Sequence, residues 1–205
     1  MRRPIFALFT VMALILTAAA PVAADTSGQV SGTYKSISAF SQDCVPQGAR
    51  TTCTETGLDV YTATPPMVTV CITQSTYTFS DRTGRGRLIS SQSGCTDLVD
   101  GSGATITVTQ DQLTATLAPT QITLTACDRR TCTEVGTVAV SAALAGAPVQ
   151  PFSSRQTYKD GTCTYRHSET GNRADVSGSI SIGAVTLTAA GSAQQSEIKV
   201  DQTCR

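Results

Sequence analysis

Few side chains in this 205-residue chain can do chemistry, and most of those are cysteines. Cys44, Cys53, Cys71, Cys95, Cys127, Cys132, Cys163 and Cys204 are an even set, the signature of four disulfides in a secreted chain. The expected pairing is two tight clasps, Cys44–Cys53 and Cys127–Cys132, and two longer staples, Cys71–Cys95 and Cys163–Cys204. Zinc competes for the Cys-x4-Cys spacing at 127–132. It needs four thiolate or imidazole ligands, and an oxidising compartment with one histidine does not supply them. Oxidised sulfurs also remove the thiolate nucleophile. No metal and no cofactor is expected.

That histidine is His167, and on a strand Tyr165, His167 and Glu169 face the same side. A small secreted hydrolase would use His167 as general base and Glu169 as its orienting carboxylate. Any Ser-His-Asp site would need the same histidine, and no Gly-x-Ser-x-Gly elbow accompanies it. An ordinary strand histidine is the simpler reading. Glu55 and Glu134 stand in the same place of two Thr-Cys-Thr-Glu segments. A glycosidase pair must flank one cleft, so matched positions in two segments read as copies, and no tryptophan offers a sugar platform. Asp100-Gly-Ser-Gly103 lacks the acidic series of a calcium loop and reads as a turn.

The remaining polar signal is cationic. Arg82, Arg85 and Arg87 lie on one glycine-bearing loop, where guanidiniums can take an oxyanion or an acidic protein surface. Arg129 and Arg130 sit between Cys127 and Cys132 beside Asp128. The best functional expectation is therefore a secreted, non-enzymatic binding or interaction module. Its partner is an unknown protein or acidic surface ligand, met first at Arg82, Arg85 and Arg87. An inhibitor of a secreted enzyme, presenting a braced loop, is the other alternative to the hydrolase.

Charge excludes broader partners. Residues 1–24 have a charged start, an apolar run and a small-residue cleavage site near Ala24, the pattern of a signal peptide. Without that leader 13 basic and 15 acidic residues remain, a balance that draws neither nucleic acid nor a membrane. The chain is expected to be secreted and released. Arginine far outnumbers lysine and Asn172 is the only asparagine, a usage expected of a GC-rich bacterial genome.

The elements that position these groups are strands. Ile122–Cys127 and Cys132–Val140 alternate apolar and polar residues around a four-residue break, a hairpin clasped at its tip. Further strands are read at Val30–Phe40, Leu58–Ala63, Met67–Phe79, Leu88–Ser91, Ala104–Thr109, Leu113–Leu117, Val149–Thr157, Thr162–His167, Asp175–Ile182, Val185–Ala189 and Glu197–Thr203. Threonines at alternate positions (105, 107, 109; 114, 116; 123, 125) belong on the solvent face of such strands. No helical periodicity appears after the leader, so the class is all-β.

Short motifs recur in the same order at offsets of 74 to 79 residues. Thr52–Gly57 matches Thr131–Gly136, Asp100–Gly103 matches Asp175–Gly178, Leu113–Ala115 matches Leu187–Ala189, and Ile122–Cys127 echoes Ile198–Cys204. The expectation is two tandem Ig-like β-sandwich units from an internal duplication, residues 25–120 and 121–205. One larger continuous sandwich is the alternative, because the clasp at 127–132 joins both units in one sheet.

Overall fold

The computed structural model describes residues 27–62, 67–99, 103–127 and 131–204. The expected leader, Asp100–Ser102 and the clasp tip Asp128–Arg130 lie outside the described residues. Among those described, the regular structure is β throughout: β1 (Gly28–Gln47), β2 (Arg50–Thr62), β3 (Val68–Ser80), β4 (Gly86–Leu98), β5 (Ala104–Val108), β6 (Leu113–Cys127), β7 (Cys132–Gly146), β8 (Gln150–Asp160), β9 (Cys163–Ile182) and β10 (Val185–Cys204).

The strands form one antiparallel sheet whose hydrogen-bonded path closes on itself. β10 pairs with β1, then β2, β3, β4, β6, β7 and β9 follow, and β9 pairs back with β10. Two strands share an edge with the one before. β5 takes up β6 at Leu113–Leu117, while β4 meets the same strand at Thr125 and Ala126. Likewise β7 covers β9 at Ser177–Ile182 and β8 continues along it from Arg173 to Cys163. A cis Ala147–Pro148 bond separates β7 from β8, and a proline there has no N–H to give the ladder. Counting β4/β5 and β7/β8 as broken staves gives eight, each antiparallel to the next in chain order. This is an up-and-down meander closed into a barrel.

The barrel is filled. A single apolar core draws on β1, β2, β3, β5, β6, β7, β9 and β10, with Leu58, Ile72, Leu113, Ile122 and Ile180 fully buried and Ala39, Ala115, Ala174, Ala189 and Ala193 between them. Small residues are what a closed ring leaves room for, since every strand sends alternate side chains to the same axis. The outer wall at this level is hydroxyl-rich: Thr123 meets Thr137, Ser181 meets Thr186, and Thr69 donates to Asp97. The narrowest joint is between β4 and β6, with two ladder pairs. Gly94 belongs there, because a Cβ would run into the Thr123 carbonyl oxygen.

The sheet does not divide between residues 120 and 121. β6 runs through that point and one core takes side chains from both halves. The chain does not pair as two separate sandwiches, because the clasped hairpin β6–β7 lies inside the ring rather than between two sheets. All four expected disulfides are present, each between directly opposed residues with Cα atoms 3.9 to 4.1 Å apart.

Strand lengths differ from the sequence expectation. Thr162–His167, apart from Thr162 in the turn, and Asp175–Ile182 are parts of one twenty-residue strand, β9, and Val185–Ala189 and Glu197–Thr203 are parts of β10. Gly191 falls between those last two segments, and its missing side chain is what lets β10 pass the Ser38 carbonyl oxygen of β1.

Candidate functional site

Unequal staves make the barrel overhang its core at both ends. At one end β1 to β4 project past the core as a four-stranded sheet around residues 42–55 and 75–91. At the other, β8, β9, β10 and the start of β1 project around 28–36, 150–169 and 196–204. We call these the upper and lower overhangs. β1 belongs to both, and at about 3.3 Å per residue its 20 residues set the tips roughly 60 Å apart.

Alternation assigns the walls of each overhang. Register is unbroken along β1–β10 and β9–β10, so residues keep the parity they have in the barrel. In the lower overhang the outer wall carries the Cys163–Cys204 disulfide, a stacked Tyr158–Tyr165 pair with ring centroids 4.9 Å apart, His167, Glu169, Ile198 and Val200. The upper outer wall carries Cys44–Cys53, Tyr77 and Phe79, whose rings lie 6.2 Å apart. Both inner walls are rich in threonine: Thr52, Thr54, Thr76 and Thr78 above, Thr157, Thr164 and Thr203 below.

The upper overhang ends in the arginine loop. The Ser80 carbonyl oxygen accepts from the Thr83 and Gly84 amides at 3.2 and 2.7 Å, and the Ser80 amide donates to the Arg85 carbonyl at 3.0 Å. Gly84 has φ +64°, the left-handed conformation this closure needs. Asp81 ties the loop to the neighbouring turn. Its amide donates to the Ala49 carbonyl at 3.3 Å, and its carboxylate accepts from the Thr51 hydroxyl at 2.9 Å. Arg82, Arg85 and Arg87 are all exposed, the first two on this fixed backbone and Arg87 at the start of β4, opposite Thr78. The loop's only carboxylate is thus already engaged by β2.

His167 sits half-buried on the lower outer wall, opposite Gln156 on β8 and Val200 on β10. Its expected partner points elsewhere: Glu169 accepts from the buried Ser196 hydroxyl at 2.6 Å and from the Gln194 amide at 3.4 Å. Tyr34, across the sheet from Ser196, has its hydroxyl pushed up from 10.0 by burial, with a hydrogen bond to Ser36 opposing and the Glu169 and Tyr61 charges adding. Glu55 accepts from Gln42 at 2.8 Å, and Glu134 stands on β7, which is not a neighbour of β2, so the structure does not bring this pair together on adjacent strands. Among the described residues no three His, Cys, Asp or Glu side chains gather as metal ligands.

Sequence reasoning missed a second cationic place. The lower inner wall forms a concavity of about 550 Å³ lined by Thr157, Lys159, Thr164, Arg166 and Thr203 beside the Gly161–Thr162 turn. The signal that finds it is the hairpin. Gly161-Thr162 is a two-residue turn that pairs Asp160 with Cys163, and that register puts Lys159 and Arg166 on one face. No protein family, curated protein or solved structure matches this chain.

Proposed function

We propose that this chain is a secreted, non-enzymatic binding module that docks an acidic protein or acidic surface ligand on Arg82, Arg85 and Arg87. The observation that carries this reading is the arginine loop: a backbone closed by its own hydrogen bonds, at the end of a disulfide-braced overhang, with Arg82 and Arg85 exposed on it and Arg87 exposed beside it at the start of β4. A pre-ordered loop loses little entropy on binding, which favours recognition over chemistry. Four disulfides accord with an extracellular protein. No described helix is long and apolar enough to cross a membrane. A membrane barrel needs an apolar outer band, and at the level of the core threonine and serine stand on the outer wall.

The duplication is part of the proposal. Its support is that β3, β4/β5 and β6 pair in the same order as β8, β9 and β10. The proposed history is of two units merged into one barrel, with the Ig-like comparison retained only for their size and strand count.

The test is capture on an acidic matrix, such as poly-glutamate beads. Wild type is expected to bind and elute with salt. Changing Arg82, Arg85 and Arg87 to Ala is expected to abolish capture with the fold intact. Unchanged capture sinks the site.

A further inference from the structure

We infer that the lower concavity is a second, separate binding site, for a polyatomic oxyanion such as a sulfate or phosphate group. Past the apolar core the inner wall continues on β8, β9 and β10, and the concavity lies on that wall beside the Gly161–Thr162 turn. Its wall is a grid fixed by register. Lys159, Thr164 and Thr203 form one row, and Thr157 and Arg166 form the next. Lys159 and Arg166 are therefore diagonal neighbours, about 7 to 8 Å apart at the backbone, close enough for both cationic ends to reach one anion.

The chemistry of the grid suits a tetrahedral oxyanion. Arg166 offers paired N–H donors, Lys159 a mobile point charge, and Thr157, Thr164 and Thr203 hydroxyl donors from three strands. Three separate donor directions match an anion with several oxygens better than a flat carboxylate. One carboxylate competes: Asp201 lies opposite Arg166 on the same wall. Arg155 and Lys199 on the same face keep the balance positive against Asp201 and Glu197. The frame is held from behind, because Cys163–Cys204 and the Tyr158–Tyr165 stack occupy the opposite wall of the same strands.

The test is an amide-resolved NMR titration of the oxidised protein with sodium sulfate and sodium phosphate, with sodium chloride matching ionic strength. The expected result is saturable shifts at Gly161, Thr162 and Thr164. Changing Lys159 and Arg166 to Ala is expected to weaken binding about tenfold or more. Asp201→Asn is expected to tighten it, an effect that damage to the fold would not produce. Shifts that do not saturate, or that survive the double variant, overturn the site. Shifts confined to Arg82–Arg87 overturn it too while leaving the arginine-loop proposal standing. If the lower amides respond and poly-glutamate capture fails, the reverse holds. Comparing sulfate with phosphate identifies which oxyanion is preferred.

Discussion

The two overhangs are built from the same parts and use them differently. Each is a four-stranded sheet with a cross-strand disulfide and an aromatic pair on its outer wall and threonines on its inner wall. The upper one puts Arg82 and Arg85 on a loop beyond the strands and Arg87 at the start of β4, all exposed where a large surface can reach them. The lower one sets its cations on the wall of a concavity, where a small group can meet both at once. The shared parts answer a shared problem: past the filled core a single-layered sheet has no second layer to pack against. Disulfides and stacked rings replace that layer. The difference lies in where the cations are placed, and the two proposed sites divide there.

Loop size predicts which overhang depends more on its disulfide. Cys163–Cys204 spans 41 residues and Cys44–Cys53 spans 9. By loop-closure entropy, Ser at both lower cysteines is expected to cost about 4 kcal/mol, and at both upper ones about 2.5 kcal/mol. Urea unfolding of the two double variants checks the order, and equal losses break the comparison. A smaller effect is expected at the rings. Tyr165→Ala removes a stacked cross-strand pair and is expected to cost about 1 kcal/mol. Phe79→Ala, whose ring meets Tyr77 at a tilt on the same strand, is expected to cost less of the pair energy. The Arg82, Arg85 and Arg87 alanine variant is expected to change stability by under about 0.5 kcal/mol, since none of the three is buried.

The faintest expected signal is alkaline. Tyr34, where the lower overhang meets the barrel, has its folded value above the ordinary 10.0. Between those values the folded state keeps a proton that the unfolded chain has lost. Its contribution is therefore present below about pH 10 and is lost as pH rises through the folded value. Tyr34→Phe is expected to flatten that part of the decline, read as the urea midpoint against pH.

What was legible in the sequence was local. Alternation in β6 and β7, the pairing of Ala104–Val108 with Leu113–Leu117 and the Cys127–Cys132 clasp all depend on residues facing each other across a short hairpin. What was not legible depends on distant partners. Nothing in residues 28–47 says that their two edges are taken by the last strand and the second, which is what closes the ring. The overhangs also invert the usual reading of alternation. Tyr165, Ile198 and Val200 are the bulky members of their strands, so a pattern reading turns them toward a core. In the structure they face outward, because the core side of the sheet has become an open polar wall. Arg82, Arg85 and Arg87 were visible as a charged loop, whereas Lys159 and Arg166 gather only once the β8–β9 register is known.

Hydrogen exchange measured on the oxidised and the reduced, alkylated protein tests the central claim most directly. If the barrel stands on its packed core and the overhangs on their disulfides, reduction accelerates exchange at 42–55, 76–91, 163–169 and 198–203. Amides of Leu58, Ile72, Ala115 and Ile180 then stay protected. Uniform loss of protection across barrel and overhangs, or overhangs that exchange no faster after reduction, contradicts it.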